Sequence, residues 1–309
     1  MYSTDKIAIL LAAYNGEKYI SEQIESILSQ TDNNWTLYIH DDGSKDRTQE
    51  IIREYTEKYP EQIIVVEGAP TGGAKSNFFY LFHQVEAPFY MCCDQDDVWL
   101  PKKIEITKKE MVTLIRGDEE KPCLVFTELR VVDAQLNLIA EKMREYQGLD
   151  CTNVRLNRAI IQNVVTGCTM MVNRVLRDEM IKIKEYEDVL MHDWWATLVA
   201  VRFGKIAFVE EPTILYRQHG SNGVGASNAN SLLYQMKRML QGEEIKQSLV
   251  NTRKQAKVFA NLYEEQENSL VKQYAELGTL SKSKRMQFYK KYDVKKSTRA
   301  KNIGLMIWG

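Results

Sequence analysis

Phe89-Tyr90-Met91-Cys92-Cys93-Asp94-Gln95-Asp96-Asp97-Val98-Trp99-Leu100-Pro101 is an apolar run that ends abruptly in three carboxylates within four residues. Its first five residues lack polar alternation, the pattern of a strand covered on both faces, as inside a parallel sheet. The acids follow where that strand leaves the sheet. Like charges at this spacing repel unless a cation or hydrogen-bond donors meet them. Ligands of open α/β sheets bind beyond the carboxyl ends of the strands, so position and chemistry agree. The alternative is that Asp96 or Asp97 caps a helix starting near Pro101.

On the N-terminal side, apolar strand-like runs at 6–12, 35–40 and 63–66 alternate with segments of helical periodicity, marked by Tyr19, Ile20, Ile24 and Ile27, by Ile51, Ile52 and Tyr55, and by Phe78, Phe79 and Phe82. Strands alternating with helices predict an α/β fold, a doubly wound, Rossmann-like, mostly parallel sheet. Its functional loops then share one edge, which joins 12–16, 41–44 and 94–97. Beyond residue 100, strands are expected at 124–126, 129–132 and 164–172, with a helix at 174–184. A further helix opens at Met191-His192-Asp193-Trp194-Trp195. Two short strands, 206–209 and 213–216, lead into Arg217-Gln218-His219-Gly220-Ser221-Asn222. Residues 220–230, rich in Gly, Ser and Asn, read as a mobile loop, and 231–289 as helix.

The 309 residues suit one domain over 1–228 and a helical extension over 229–309. Five cysteines without a CxxC pair suggest buried, reduced thiols. A net charge of -1 argues against general nucleic-acid binding. It conceals a basic tail: residues 281–309 carry nine Lys/Arg against the single acid Asp293 and end in the apolar 303–308. Such a tail suits an anionic membrane surface, with a solvated, disordered end as the alternative. The helical extension offers a homodimer surface as readily as a membrane platform. Neither a spanning segment nor a signal-peptide pattern is seen, so the expected location is cytoplasmic, peripheral on the inner membrane face.

The sheet lacks GxGxxG and GxxxxGK[ST], so phosphate must be held differently. Asp94-x-Asp96 supplies hard oxygen ligands for Mg²⁺ or Mn²⁺, which bridges a diphosphate that acids alone would repel. The order AAYNG, DDGSKDRT, CDQDDVWLP, TGCTMM, HDWW and YRQHGSN over about residues 5–225 resembles glycosyltransferase family 2, inverting enzymes of GT-A fold that use nucleotide-sugar donors. Within that family it is similar to bacterial rhamnosyltransferases of cell-wall and surface rhamnan synthesis.

The resemblance implies that Ala12, Tyr14 and Asn15 line the nucleotide site and that Asp41 accepts from the pyrimidine imide. Asp41 with Asp42 is otherwise a turn or cap, and Tyr14 a packed strand end. It makes Asp94 and Asp96 the DxD motif, with Asp96 the direct metal ligand and Asp94 a ligand or ribose-side neighbour. His219 completes the metal or diphosphate site, unless it is a solvated surface imidazole. Asp193 matches the catalytic base, which takes the acceptor proton as the hydroxyl attacks opposite the leaving diphosphate; its other reading is a helix cap. His192 replaces the usual Glu before that Asp, which puts the role of this position in doubt. Trp99 and Trp194 are candidates for acceptor stacking or for core filling. Gly167 permits close approach of the donor sugar. Lys75 and Arg217 are candidates for diphosphate contact or for solvated surface. The expected reaction is transfer of L-rhamnose from dTDP-β-L-rhamnose to a saccharide or polyprenyl-linked saccharide. The alternatives are a UDP-linked donor and a sugar-phosphate nucleotidyltransferase, which normally places a Gly-rich basic loop after the first strand.

Overall fold

The computed structural model describes residues 6–219 and 242–309. The expected loop at 220–230, the division at 228/229 and the start of the helical part at 231 lie outside the described residues.

The first half alternates as its periodicity predicts: β1 (Ile7–Ala13), α1 (Ile20–Leu28), β2 (Trp35–Asp41), α2 (Thr48–Lys58), β3 (Ile63–Val65), α3 (Ala74–Gln84) and β4 (Phe89–Asp94), then β5 (Val98–Trp99) and α4 (Lys103–Ile115). β1 pairs in parallel with β2 and with β4, and β2 with β3. The register sets Ala12 beside His40 and Asp94, and Ala13 beside Asp41, so the first, second and fourth strands end level.

Side chains of a strand alternate between faces, and here each face meets its own apolar layer. Ala8, Leu10, Tyr90 and Cys92 enter one layer; Ile7, Ile9, Leu11, Phe89, Met91 and Cys93 enter the other. Both sets are fully buried, worth about 1.5–3 kcal/mol per large apolar side chain. That double cover is why the run lacks polar alternation.

The second half contains β6 (Cys123–Val132), β7 (Leu138–Ala140), α5 (Met143–Gln147), α6 (Leu156–Ala159), β8 (Met170–Asn173), α7 (Arg174–Met180), α8 (His192–Phe203) and β9 (Lys205–Arg217). β8 runs antiparallel to β4 and β6, whereas β9 runs parallel to β6 and antiparallel to β5. Among the described residues a mixed nine-stranded sheet of order β3-β2-β1-β4-β8-β6-β9-β5 results, with β7 on β6.

Five expected strands need correction. Segments 124–126 and 129–132 are one strand, as are 206–209 and 213–216. Between Val209 and Pro212 the register against β6 shifts, which leaves Glu210 and Glu211 outward as a bulge that the sequence shows as a polar break. Residues 164–172 divide into a coil, a 3₁₀ turn (Gly167–Thr169) and β8.

Among the described residues four α-helices follow: α9 (Gly242–Leu262), α10 (Leu270–Ala275), α11 (Lys282–Lys291) and α12 (Arg299–Trp308). They join the layer that covers Leu10 and Tyr90, because Leu249, Phe259, Tyr274 and Leu305 belong to the same buried cluster. Phe259 and Tyr263 pack on Trp195 and Phe203 of α8 with ring centroids 4.8–6.3 Å apart. Gln255 Oε1 accepts from the N–H of Leu190 at 2.8 Å, next to the start of α8. The described tail is therefore folded, yet Ile303, Met306 and Ile307 of α12 stay 46%, 63% and 50% exposed.

Candidate active site

The predicted convergence of 12–16, 41–44 and 94–97 is present. Gln95 grips the backbone of Tyr14 from both sides, accepting from its N–H at 2.8 Å and donating to its carbonyl at 2.7 Å. Asn15, at φ 47, receives the N–H of Lys45 on Oδ1 at 2.8 Å and donates its own N–H to Ser44 Oγ at 2.8 Å. Tyr14 is 52% exposed, which rules out a packed strand end and leaves its ring open to a planar ligand. Asp41, at the end of β2, accepts from Ser44 N–H at 2.9 Å and from Gln49 at 2.7 Å. Asp42 is a structural cap for the loop before α3: burial raises its pKa, but donors from Thr71, Gly73 and Gly72 outweigh that and hold it low.

Strand parity delivers the central acid. Asp94 continues the Tyr90–Cys92 series, so it faces the layer occupied by α3 and α8. There it borders a cavity of about 410 Å³ shared with Phe78, Gly167, His192, Asp193 and Trp194. Burial, then the charges of Asp96 and Asp193, push its carboxyl up. Ala12, half-buried, lies beside it in the sheet.

Asp193 stands in the first turn of α8; Met191 is the N-cap residue, so Asp193 is not the cap. Its Oδ1 is buried without a hydrogen-bond partner among the described residues. Burial pushes its carboxyl up to about 7, against the N–H groups of Trp194 and Gly167 and the Asn163 amide, which lower it. A carboxylate so tuned accepts a proton near neutrality. Trp194 lines the same cavity with its indole N–H fixed on Ala159 carbonyl oxygen at 2.6 Å, whereas Trp195 points into the core. Gly167 makes room for α8: a Cβ there would lie 2.7 Å from His192 Nε2 and 3.7 Å from Asp193 Cβ. The close approach it permits is that of the helix.

His192 was not legible as a site residue. It is 3% exposed, packs on Phe78 at 4.1 Å, and neither ring nitrogen has a partner among the described residues. Burial pushes its pKa down to about 3, so the imidazole is neutral.

At the other end of the acidic stretch, His219 Nε2 lies 2.8 Å from Asp96 Oδ2, and its ring sits 5.0 Å from that of Tyr19. His219 is therefore part of the cluster and not a solvated imidazole. Asp97 does not cap α4, whose N-cap is Lys102; it is fully buried and accepts from the Arg217 N–H at 3.1 Å.

Oxygen ligands with one imidazole, as in Asp94, Asp96 and His219, suit Mg²⁺ or Mn²⁺. Among the described residues, however, the group whose ligand atoms all lie within 4.8 Å of one another is Asp94, Asp97 and Cys168, and Asp94 does not close onto the Asp96–His219 pair in this way. That second set fits poorly: Asp97 and Cys168 are sealed in the core, and burial with two neighbouring acids pushes the thiol well up, so it stays protonated and soft.

Three expected contacts are corrected. Lys75 donates its ammonium to the carbonyls of Tyr186, Glu187 and Val189 at 2.8, 3.2 and 2.6 Å, clipping the segment before α8 instead of meeting a diphosphate. Arg217 is 2% exposed; its guanidinium donates to Asp96 carbonyl and Ala134 carbonyl at 2.8 Å each and to Glu22, a structural clamp. Trp99 is 2% exposed, paired through β5 with Ile214 and lying under the Lys103 ammonium at 4.7 Å, out of an acceptor's reach.

Residues 8–114 match the family model described as glycosyl transferase family 2. The dTDP-rhamnosyl transferase RfbG of Shigella flexneri is 28% identical over 230 residues, covering 70% of this chain and 74% of that protein. Among solved structures, TarS 1–349 of S. aureus in complex with UDP-GlcNAc superposes with TM-score 0.52 at 15% identity over 92% of this chain and 79% of that one. The mannosyltransferase PcManGT from Pyrobaculum calidifontis, in complex with GDP-Man and Mn²⁺, gives 0.54 at 16% identity over 98% and 86%. The fold is that of these GT-A-like glycosyltransferases, and the matched span contains β1 to β4 with the acidic stretch.

Proposed function

We propose, on the premise that this chain is a glycosyltransferase with a family 2 domain at residues 8–114, that it is inverting and metal-dependent and moves L-rhamnose from dTDP-β-L-rhamnose to a lipid-linked saccharide in bacterial cell-wall or surface polysaccharide synthesis. One observation carries the mechanism: Asp94, at the end of the nucleotide edge, and Asp193, a carboxylate with an unpartnered oxygen, border one cavity.

In this reading Ala12, Tyr14, Asn15 and Asp41 hold the nucleotide, with Asp41 accepting the imide N–H and the Tyr14 ring stacking on the base. Asp94, Asp96 and His219 would hold Mg²⁺ or Mn²⁺, which supplies charge compensation for the departing diphosphate. Asp193 orients the acceptor hydroxyl and takes its proton as that oxygen attacks the anomeric carbon. Trp194 offers a face for the acceptor ring. Rhamnose is supported by the name of the Shigella relative and by the apolar lining from Phe78, Val164, Leu190 and Met191, which suits the methyl group of a 6-deoxy sugar.

Among the described residues no helix is long and apolar enough to cross a membrane. Ile303, Met306 and Ile307 share one exposed face of α12 beside the basic residues of 281–301, and this face would lie on an anionic membrane on the cytoplasmic side. Residues 1–228 are read as catalytic and 229–309 as the extension that braces α8 and reaches the lipid.

A panel of nucleotide sugars with Mg²⁺ or Mn²⁺ tests the reading, with hydrolysis and melting temperature as readouts. dTDP-rhamnose should be hydrolysed and should stabilise most. Preference for a UDP sugar would retain the family and refute the donor; release of pyrophosphate from nucleoside triphosphate would refute the transferase.

A further inference from the structure

A second cavity, of about 230 Å³, lies where the C-terminal tail meets α6, lined by Asn153, Arg158, Gln162, Lys295, Lys296 and Ser297, with Asp150 also on its wall. Pockets for drug-sized ligands span about 300–1,000 Å³, so this one suits a small polar group. Three of its residues are cationic. Asp293, held at φ 50, bridges two of them: Oδ2 lies 2.8 Å from Arg158 and Oδ1 3.0 Å from Lys295. A single carboxylate thus fixes two cations side by side, and its own side chain is 62% exposed. The amide of Gln162 adds a neutral donor. Gln162 Oε1 is held by Ser297, through its N–H at 2.8 Å and its hydroxyl at 3.2 Å, and this fixes the orientation of the amide. Donor-rich, cationic walls around a small volume are the chemistry of a phosphate site.

Its place gives it a partner. Val164 lines both this cavity and the one holding Asp94 and Asp193. Ala159, on its wall, receives the indole N–H of Trp194 at 2.6 Å, and Trp194 faces the larger cavity. Lys301 latches the tail to the carbonyls of Gln147 and Gly148 at 2.9 and 3.3 Å, and Gln147 also lines the larger cavity. The two cavities therefore adjoin at Val164, and the small one is walled by the same tail that presents Ile303, Met306 and Ile307 to the outside.

We propose that the cavity of Arg158, Gln162, Lys295, Lys296 and Ser297 binds the phosphate or diphosphate that joins the acceptor saccharide to its lipid. This rests on the lipid-linked acceptor read above. The sugar then projects past Val164 toward Asp193, while the lipid leaves along α12. The same chemistry also fits the headgroup of an anionic phospholipid, and the test separates the two.

Inorganic pyrophosphate is titrated calorimetrically into the full-length protein with EDTA present, which keeps the metal-dependent donor site out of the measurement. The parent should show one site. Lys295→Gln with Lys296→Gln, and separately Asn153→Asp, which adds a charge and leaves the tail contacts in place, should each weaken it by roughly tenfold or more. Nucleoside diphosphate binding with Mn²⁺ should not change in either, and sedimentation with phosphatidylglycerol/phosphatidylcholine vesicles should not change in Asn153→Asp. Absence of the site, or pyrophosphate affinity equal in parent and Asn153→Asp, overturns the proposal. Variants that lose vesicle binding and keep pyrophosphate binding also overturn it, in favour of a headgroup contact. A protein that turns over nucleotide sugar but lacks the site refutes this inference alone; one that has the site but turns over no nucleotide sugar refutes the donor reading alone.

Discussion

His219 Nε2 lies 2.8 Å from Asp96 Oδ2, which ties the end of β9 to the acidic stretch after β4 although the two are far apart in sequence. If this pair helps to hold the metal, Asp96→Ala should abolish metal-dependent nucleotide binding. His219→Ala should weaken it by about 10–100-fold, the range seen when a ligand or its support is removed. Calorimetric titration of a nucleoside diphosphate with and without Mn²⁺ checks this; equal affinity of parent and Asp96→Ala in metal would contradict it.

Arg217 predicts a different outcome from a substrate-binding arginine. Its backbone holds Asp97 and its buried guanidinium holds Glu22 and two carbonyls. Truncation leaves the Asp96 and Ala134 carbonyls without these donors, at a cost of about 1–3 kcal/mol per buried group left unsatisfied, while the pair with Glu22, whose side chain is 50% exposed, adds little. Arg217→Met should therefore show a lowered denaturation midpoint, read from urea melts. An unchanged midpoint with a raised donor KM would restore the diphosphate role.

If Asp193 is the base, its carboxyl, pushed up to about 7 by burial, can take the acceptor proton only when ionised. The rate kcat/KM should climb about tenfold per pH unit below 7 and level above it. Stability moves the opposite way. A carboxyl raised above its unfolded value contributes stability at low pH and loses that contribution as pH rises through about 7. Asp193→Asn should accordingly melt higher than the parent at pH 8, with the gap closing toward pH 5. Melting curves at the two pH values decide this.

Phe259 braces α8 through Trp195, whose ring centroid is 5.4 Å away. Phe259→Ala should cost about 3–5 kcal/mol as a core truncation. It should also lower kcat, because the helix that starts at His192 carries Asp193. A full loss of stability with unchanged kcat in the folded fraction would separate the extension from catalysis.

Much of the frame was legible because it is local. The unbroken apolar run at 89–93 reports cover on both faces, and period two carries Tyr90 and Cys92 onto the face that Asp94 then shares with α8. Turn residues at Asn15 and Asp41 mark strand ends, and parallel pairing brings them level. What was not legible depends on distant pairing. Nothing near Trp99 reveals that β5 will pair with β9 and bury it, and no charge pattern tells that Lys75 meets three carbonyls instead of water. His192 went unread for the same reason: its burial follows from Phe78 and from the space left by Gly167.

The central claim is that one carboxylate activates the acceptor while a separate group of residues holds the leaving diphosphate. Transfer from dTDP-rhamnose to a saccharide acceptor, measured alongside nucleotide affinity in Asp193→Asn, tests it most directly. The account predicts a loss of roughly 10²–10⁴-fold in kcat with nucleotide affinity unchanged. A variant that retains its rate, or that loses rate only in proportion to lost nucleotide binding, would contradict it.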